Sequence, residues 1–149
     1  MKVSTTPHSP TTPEDFVNRR DLYIFLGLEL FAVGWAGAVF SLVSTRLLAA
    51  ALAGGFFVLS AFYMTWRAWN WPECWRSATI YPLTVHLWGV SLPMLITRFL
   101  HAGDAFADVR IWGLSGPQFH RLAHWVFACL ILSTLIDLAR VQWREYGRI

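Results

Sequence analysis

Residues 22–44, LYIFLGLELFAVGWAGAVFSLVS, decide the fold: twenty-three residues with one charge, Glu29, followed after Thr45-Arg46 by a second apolar run, residues 47–66, LLAAALAGGFFVLSAFYMTW. A helix needs about 20 consecutive apolar residues to cross the hydrocarbon of a bilayer, and both runs have that length. A two-residue link turns the second run back beside the first, so the pair reads as an antiparallel hairpin. The first run is longer than a signal-peptide core and lacks a small-residue cleavage site, so it is expected to stay attached.

Two more runs follow. Residues 78–97 are uncharged and contain Pro82, His86, Gly89 and Pro93. Each proline removes a backbone donor and leaves a carbonyl four residues earlier, at Ala78 or Gly89, in need of another partner. The third helix is therefore predicted to be kinked. The fourth span is predicted over about residues 117–140, opened by Ser115-Gly116-Pro117 and free of charge from Leu122 to Ile136. Ahead of the first span, residues 1–12 read as a flexible polar tail. Thr12-Pro13-Glu14-Asp15 supplies a capping hydroxyl, a proline and first-turn acids, which predict a helix running on into the membrane. Residues 13–149 thus read as one domain: an all-α integral membrane protein, a four-transmembrane-helix antiparallel bundle with spans at about 22–44, 47–66, 78–97 and 117–140.

Composition agrees. Of 149 residues, 56% are hydrophobic and 14% charged, against about 25% charged in soluble domains. A soluble enzyme, a disordered chain and a disulfide-stapled secreted domain are disfavoured. Cys74 and Cys129, 55 positions apart, give neither a redox pair nor a zinc quartet. A sequence pI near 9.2 would suggest nucleic acid in a soluble chain, but here the basic residues sit at the ends of apolar runs, so no nucleic-acid partner is expected. Lys2, Arg19, Arg20, Arg67, Arg76, Arg140, Arg144 and Arg148 fall on one side, eight against the four of Arg46, Arg98, Arg110 and Arg121. That excess places both termini in the cytoplasm. Eleven arginines to one lysine point to a GC-rich bacterial genome and hence to a bacterial cytoplasmic (inner) membrane.

Several constellations carry chemistry, each beside a plainer use. Glu29 and His86 are both about 10 to 12 Å deep by helical rise, so they could meet in the interior. An ionisable group in lipid costs on the order of 3 kcal/mol and should face inward. The two fit buried groups that fix packing, or a proton relay, a quinone contact or a haem ligand. As a bis-histidine haem site, His86 and His124 are mismatched in depth by about 10 Å. His120 and His124 stand at i and i+4, and with His101, and Asp104 as an added oxygen ligand, they outline a transition-metal site, or they simply hydrate a helix end.

Trp66, Trp69, Trp71 and Trp75 crowd ten residues of one loop, with Trp143 and Tyr146 near the same face. They suit a headgroup-level anchor or a platform for a partner, a pigment or a quinone ring. Arg140, Arg144 and Arg148 repeat every four residues, a basic face for anionic lipid or an acidic partner, while Asp137 is placed to pair with Arg140. Gly34 and Gly37, and the small pairs Ala49/Ala53, Ala50/Gly54 and Ala51/Gly55, allow close helix contact within the first hairpin or with another subunit. Between Phe99 and Leu114 the mixture of apolar and charged residues suits a short helix lying on the outer surface.

Short loops and the absence of a catalytic set favour a non-catalytic, tryptophan-rich subunit or assembly factor of a larger membrane complex, respiratory, photosynthetic or transport. Its partners are then the lipid bilayer and other membrane subunits or further copies of itself. The alternative is a protein that handles haem, quinone or a metal, or that moves protons or solutes, using Glu29, His86 and the outer histidines.

Overall fold

The structure, a computed structural model, is described over residues 17–146. The tail at 1–12, the helix start expected at Thr12–Asp15, and Arg148 lie outside the described residues. Within them the chain forms α1 (Arg19–Leu42), α2 (Arg46–Trp69), a short 3₁₀ turn (Cys74–Arg76), α3 (Ile80–Leu100), strands β1 (Arg110–Ile111) and β2 (Leu114–Ser115), and α4 (Gly116–Tyr146). All four helices are long and apolar enough to cross a membrane.

The start of α1 corrects the expectation of one helix continuing from residue 12. Val17 and Asn18 are not helical. Asn18 is extended and caps α1, its side-chain oxygen accepting from the Arg20 N–H at 3.0 Å. Asparagine competes well for this position because its short amide reaches a free first-turn N–H. Asp21 then adds an acid to the first turn, where the helix dipole favours negative charge.

In α3 the backbone opens into a π-helix over Val85–Ser91, and the Leu92 N–H donates to the Leu87 carbonyl, five residues back. Pro93 offers no N–H to Gly89, and the wider turn directly precedes that missing donor, so the proline's cost is absorbed by a change of hydrogen-bond register.

The outer segment also departs from expectation. In place of a surface helix, Arg110–Ile111 pairs antiparallel with Leu114–Ser115. Val109 and Ile111 are buried and Arg110 is exposed, the period of two that belongs to a strand. Trp112 and Gly113 form the turn with φ of 57° and 82°, the positive pair that a two-residue hairpin turn requires. The hairpin closes on Gly116, whose N–H donates to the Val109 carbonyl at 2.9 Å. A side-chain carbon at Gly116 would run into the Phe106 carbonyl and ring.

α1 packs on α2 and α4, and α3 packs on the same two helices. Three clusters fill the interior. Leu22, Phe25, Met64, Leu83, Leu87 and Leu130 belong to the largest; Val90, Val109, Ile111 and Phe119 form the cluster under the hairpin; Val39, Ala49 and Ala53 close the turn between α1 and α2. The small residues divide by use. Ala49 and Ala53 are buried in the α1–α2 contact, and Gly54 approaches Leu95 of α3. Gly27, Gly34 and Gly37 look outward, where an added carbon would meet nothing within 4 Å.

Candidate functional site

Two buried aspartates tie the helices together at the end of the molecule where α1 begins and α4 ends. Gln142 of α4 donates to the Tyr23 hydroxyl of α1 at 3.0 Å, which brings those two ends side by side. Asp21 is 2% exposed. Its Oδ1 accepts from Arg67 Nη2 at 2.6 Å and Nε at 3.2 Å, and its Oδ2 accepts from Trp71 Nε1 at 2.9 Å. Trp71 stacks on Phe25 with centroids 5.4 Å apart. One carboxylate therefore joins α1, the end of α2 and the loop beyond it. Trp71 consequently parts from the other loop tryptophans: Trp66, Trp69 and Trp75 are each about three-fifths exposed, whereas Trp71 is buried and cannot present its ring to lipid or a partner.

Asp137 does the same for α3. Its Oδ2 accepts from the Ser77 hydroxyl at 2.7 Å, the Thr79 hydroxyl at 2.9 Å and the Thr79 N–H at 3.0 Å. Its Oδ1 accepts from the Ala78 N–H at 3.2 Å and from Arg140 at 3.3 Å. Thr79, at the N-cap of α3, makes no side-chain cap of its own. Two N–H groups at the entry to α3, those of Ala78 and Thr79, are met here by a carboxylate from α4. The expected Asp137–Arg140 pair exists, but it is the longest of these contacts and secondary to the cap.

Farther in, Glu29 is 1% exposed and its Oε1 accepts from the Thr134 hydroxyl at 2.8 Å. His86 is 5% exposed; its Nε2 is 3.0 Å from Ser91 Oγ, and its ring lies against Phe57 and Phe127 at centroid distances of 6.0 and 5.2 Å. His86 and Ser91 are five residues apart, a pairing that the π turn makes available. Glu29 and His86 are thus served by separate partners. Thr134 and Phe127, which mark their levels on α4, are two turns apart, about 10 Å by helical rise. Glu29 Oε2, His86 Nδ1 and Thr65 Oγ1 are buried without a hydrogen-bond partner.

The outer histidines split. His120 and His124 lie with ring centroids 4.3 Å apart, and His120 stands edge-on to Phe106. Arg98 covers the other ring contact, 3.6 Å from the Phe106 centroid. His101, at the C-terminal cap of α3, bonds instead to Asp104 at 2.7 Å. Among the described residues no group of three or more His, Cys, Asp or Glu side chains is placed to hold a metal ion. His101 is thus paired with Asp104, while His120 and His124 lie against each other.

At the opposite end, a surface hollow is lined by Arg19, Arg20, Tyr23 and Ile24. Trp143 and Tyr146 are exposed near the end of α4, Arg140 is half-exposed over Asp137, and Arg144 is exposed. Sequence reading missed the joining roles of Asp21, Ser77 and Thr79. The available signal was two acids at span ends whose charge an apolar neighbourhood must neutralise. Comparison with protein-family models, with curated proteins and with solved structures finds no match for the chain.

Proposed function

We propose that the protein is an integral membrane protein, a four-span antiparallel bundle with both termini on the cytoplasmic side of a bacterial membrane. In this reading it serves as a non-catalytic subunit or assembly factor of a larger membrane complex. The outer face of α1 carries the reading. The inner face of that helix runs Leu22, Phe25, Glu29, Ala32 and Val39, all buried. A second file, Gly27, Leu30, Gly34, Gly37 and Ser41, advances in steps of three and four residues and is exposed throughout. It lies about 140° around the helix from the first. Apolar surface gains nothing by leaving lipid, so helices associate there by close backbone approach over small residues, and this file offers four of them in five positions. On α2, Ala49, Ala53 and Gly54 are already used within the chain, while Gly55, where an added carbon meets nothing within 4 Å, is open like Gly34 and Gly37. The exposed rings of Trp66, Trp69, Trp75, Trp143 and Tyr146 suit the headgroup level on the same end as Arg140 and Arg144.

The test is extraction from native membranes in mild detergent. Wild type should co-migrate with partner subunits in fixed ratio, and the double variant Gly34→Leu/Gly37→Leu should migrate alone with its helical content intact. A wild-type chain that migrates alone removes the reading.

A second reading, handling of a cofactor or transport of protons or solutes, is favoured by one observation: Glu29 and His86 each keep a buried polar atom without a partner. A visible absorption band in the extracted protein would favour the haem or quinone form of it.

A further inference from the structure

The inward face of α4 reads Phe127, Leu130, Thr134 and Asp137, again in steps of three and four. Three of these positions meet a group able to carry a proton. Asp137 is itself one, with its Oδ1 3.3 Å from the half-exposed Arg140. Thr134 donates to Glu29, and Phe127 lies against His86. Helical rise sets Asp137 and Thr134 about 5 Å apart, and Thr134 and Phe127 about 10 Å apart. Between the last two levels Leu83 and Leu130 close the interior, and Leu87 does so beside His86 itself, each no more than 2% exposed. Two carboxylates one turn apart and an imidazole two turns farther on therefore stand in file along one helix face, with an apolar plug before the imidazole.

The two inner groups are also incomplete. Burying a polar atom without a partner is costly, and a pair retained for packing alone is readily replaced by apolar residues of similar volume. Here Glu29 leaves Oε2 open and His86 leaves Nδ1 open. His86 also sits in the π segment, a backbone form found often at functional positions. Ordinary α register would separate His86 and Ser91 by about 140° around the axis, so a return to it would break their bond and swing the ring.

We propose that the protein carries protons through its body along Asp137, Glu29 and His86, with Leu83, Leu87 and Leu130 as a gate that passes them when water briefly enters. This deepens the second reading above and is independent of whether the chain has partners. Glu29 receives a proton on its open oxygen and passes it through the gate to His86 Nδ1. The imidazolium so formed gives its Nε2 proton to Ser91 Oγ while the Ser91 hydroxyl gives its own to water entering from the outer side, and the neutral ring turns so that the remaining N–H again faces Ser91. One proton enters at one end and one leaves at the other, with no bond to carbon made or broken.

The experiment uses the full chain in vesicles of neutral phospholipid, with a potassium gradient and valinomycin to drive flux and a trapped pH dye to read it. Wild type should change the internal pH faster than protein-free vesicles do. Glu29→Gln and His86→Phe should each return the rate to that of protein-free vesicles, while Leu132→Ala, on an exposed position of α4, keeps the wild-type rate. Leu130→Ala, which thins the gate, should raise it. Helical content and elution volume check that each variant folds. A wild-type rate equal to that of protein-free vesicles overturns the proposal, as does wild-type flux in folded Glu29→Gln and His86→Phe. Should those two fail to fold, a Leu130→Ala rate no higher than wild type overturns it.

Discussion

Asp137 accepts four hydrogen bonds from the segment that opens α3, two from hydroxyls and two from backbone N–H groups, at distances from 2.7 to 3.2 Å. Hydrogen bonds to a charged acceptor contribute more than neutral ones, and a buried donor left without its acceptor is costly. Asp137→Asn keeps the shape, but it turns one oxygen into an amide that faces donors. It should lower stability by about 2 to 3 kcal/mol, read from unfolding in detergent. Arg140→Ala removes the longest and most exposed contact and should cost under about 1 kcal/mol in the same measurement. The sequence showed an acid near Arg140 and assigned the pair. It could not show Ser77 and Thr79, sixty and fifty-eight positions away, because hydrogen bonding across helices leaves no trace in local spacing. Trp71 was hidden in the same way: four tryptophans in one loop look alike until one of them finds Asp21.

Among the elements, the four long helices were legible because apolar length is a local property, and the tertiary contacts moved their ends by only a few residues. The irregularity of α3 was legible only at Pro93: Pro82 falls in the first turn, where its missing N–H costs no helix bond, and the form was not legible, since a shift of register and a bend both answer a missing N–H. Pro93→Ala restores the donor to Gly89. The expected outcome is α-helical hydrogen bonding through residues 85–91 and loss of the His86–Ser91 bond, read from backbone chemical shifts and from the nitrogen resonances of His86.

The outer hairpin was missed because Phe99–Leu114 was weighed by its mixture of residue types and not by the alternation of Val109, Arg110 and Ile111. Its turn places Trp112 at φ 57°, a conformation costing a non-glycine residue about 1 to 2 kcal/mol. Asparagine accepts that geometry more readily, so Trp112→Asn should raise the stability of the detergent-solubilised chain by about 0.5 to 1 kcal/mol. Gly116→Ala, beside the same hairpin, should lower it by about 1 to 3 kcal/mol, because the added carbon meets the Phe106 backbone, which cannot rotate away.

For the whole molecule, depth along each helix could be read from apolar length, but not which face of it meets which neighbour. That is why Glu29 and His86, similar in expected depth, could be imagined as a pair and turn out to have separate partners. It is also why the small residues of α1 could be assigned to the first hairpin, although a side-chain carbon added at Gly34 or Gly37 would meet nothing within 4 Å. Their outward placement separates two properties that usually change together. Gly34→Leu should leave the unfolding of the isolated chain within about 0.5 kcal/mol of wild type, as expected for a surface position, while removing co-migration with partners.

The cap that α4 places on α3 has a consequence for biosynthesis. A ribosome releases residues 77–79 well before residue 137, so the third segment must wait with its first amide groups unanswered until the last one arrives. During that interval its insertion is reversible, and the final helix acts as a latch on the one before it. A nascent chain arrested short of Asp137 should therefore leave its third segment open to protease, and the same chain released a few residues later should not.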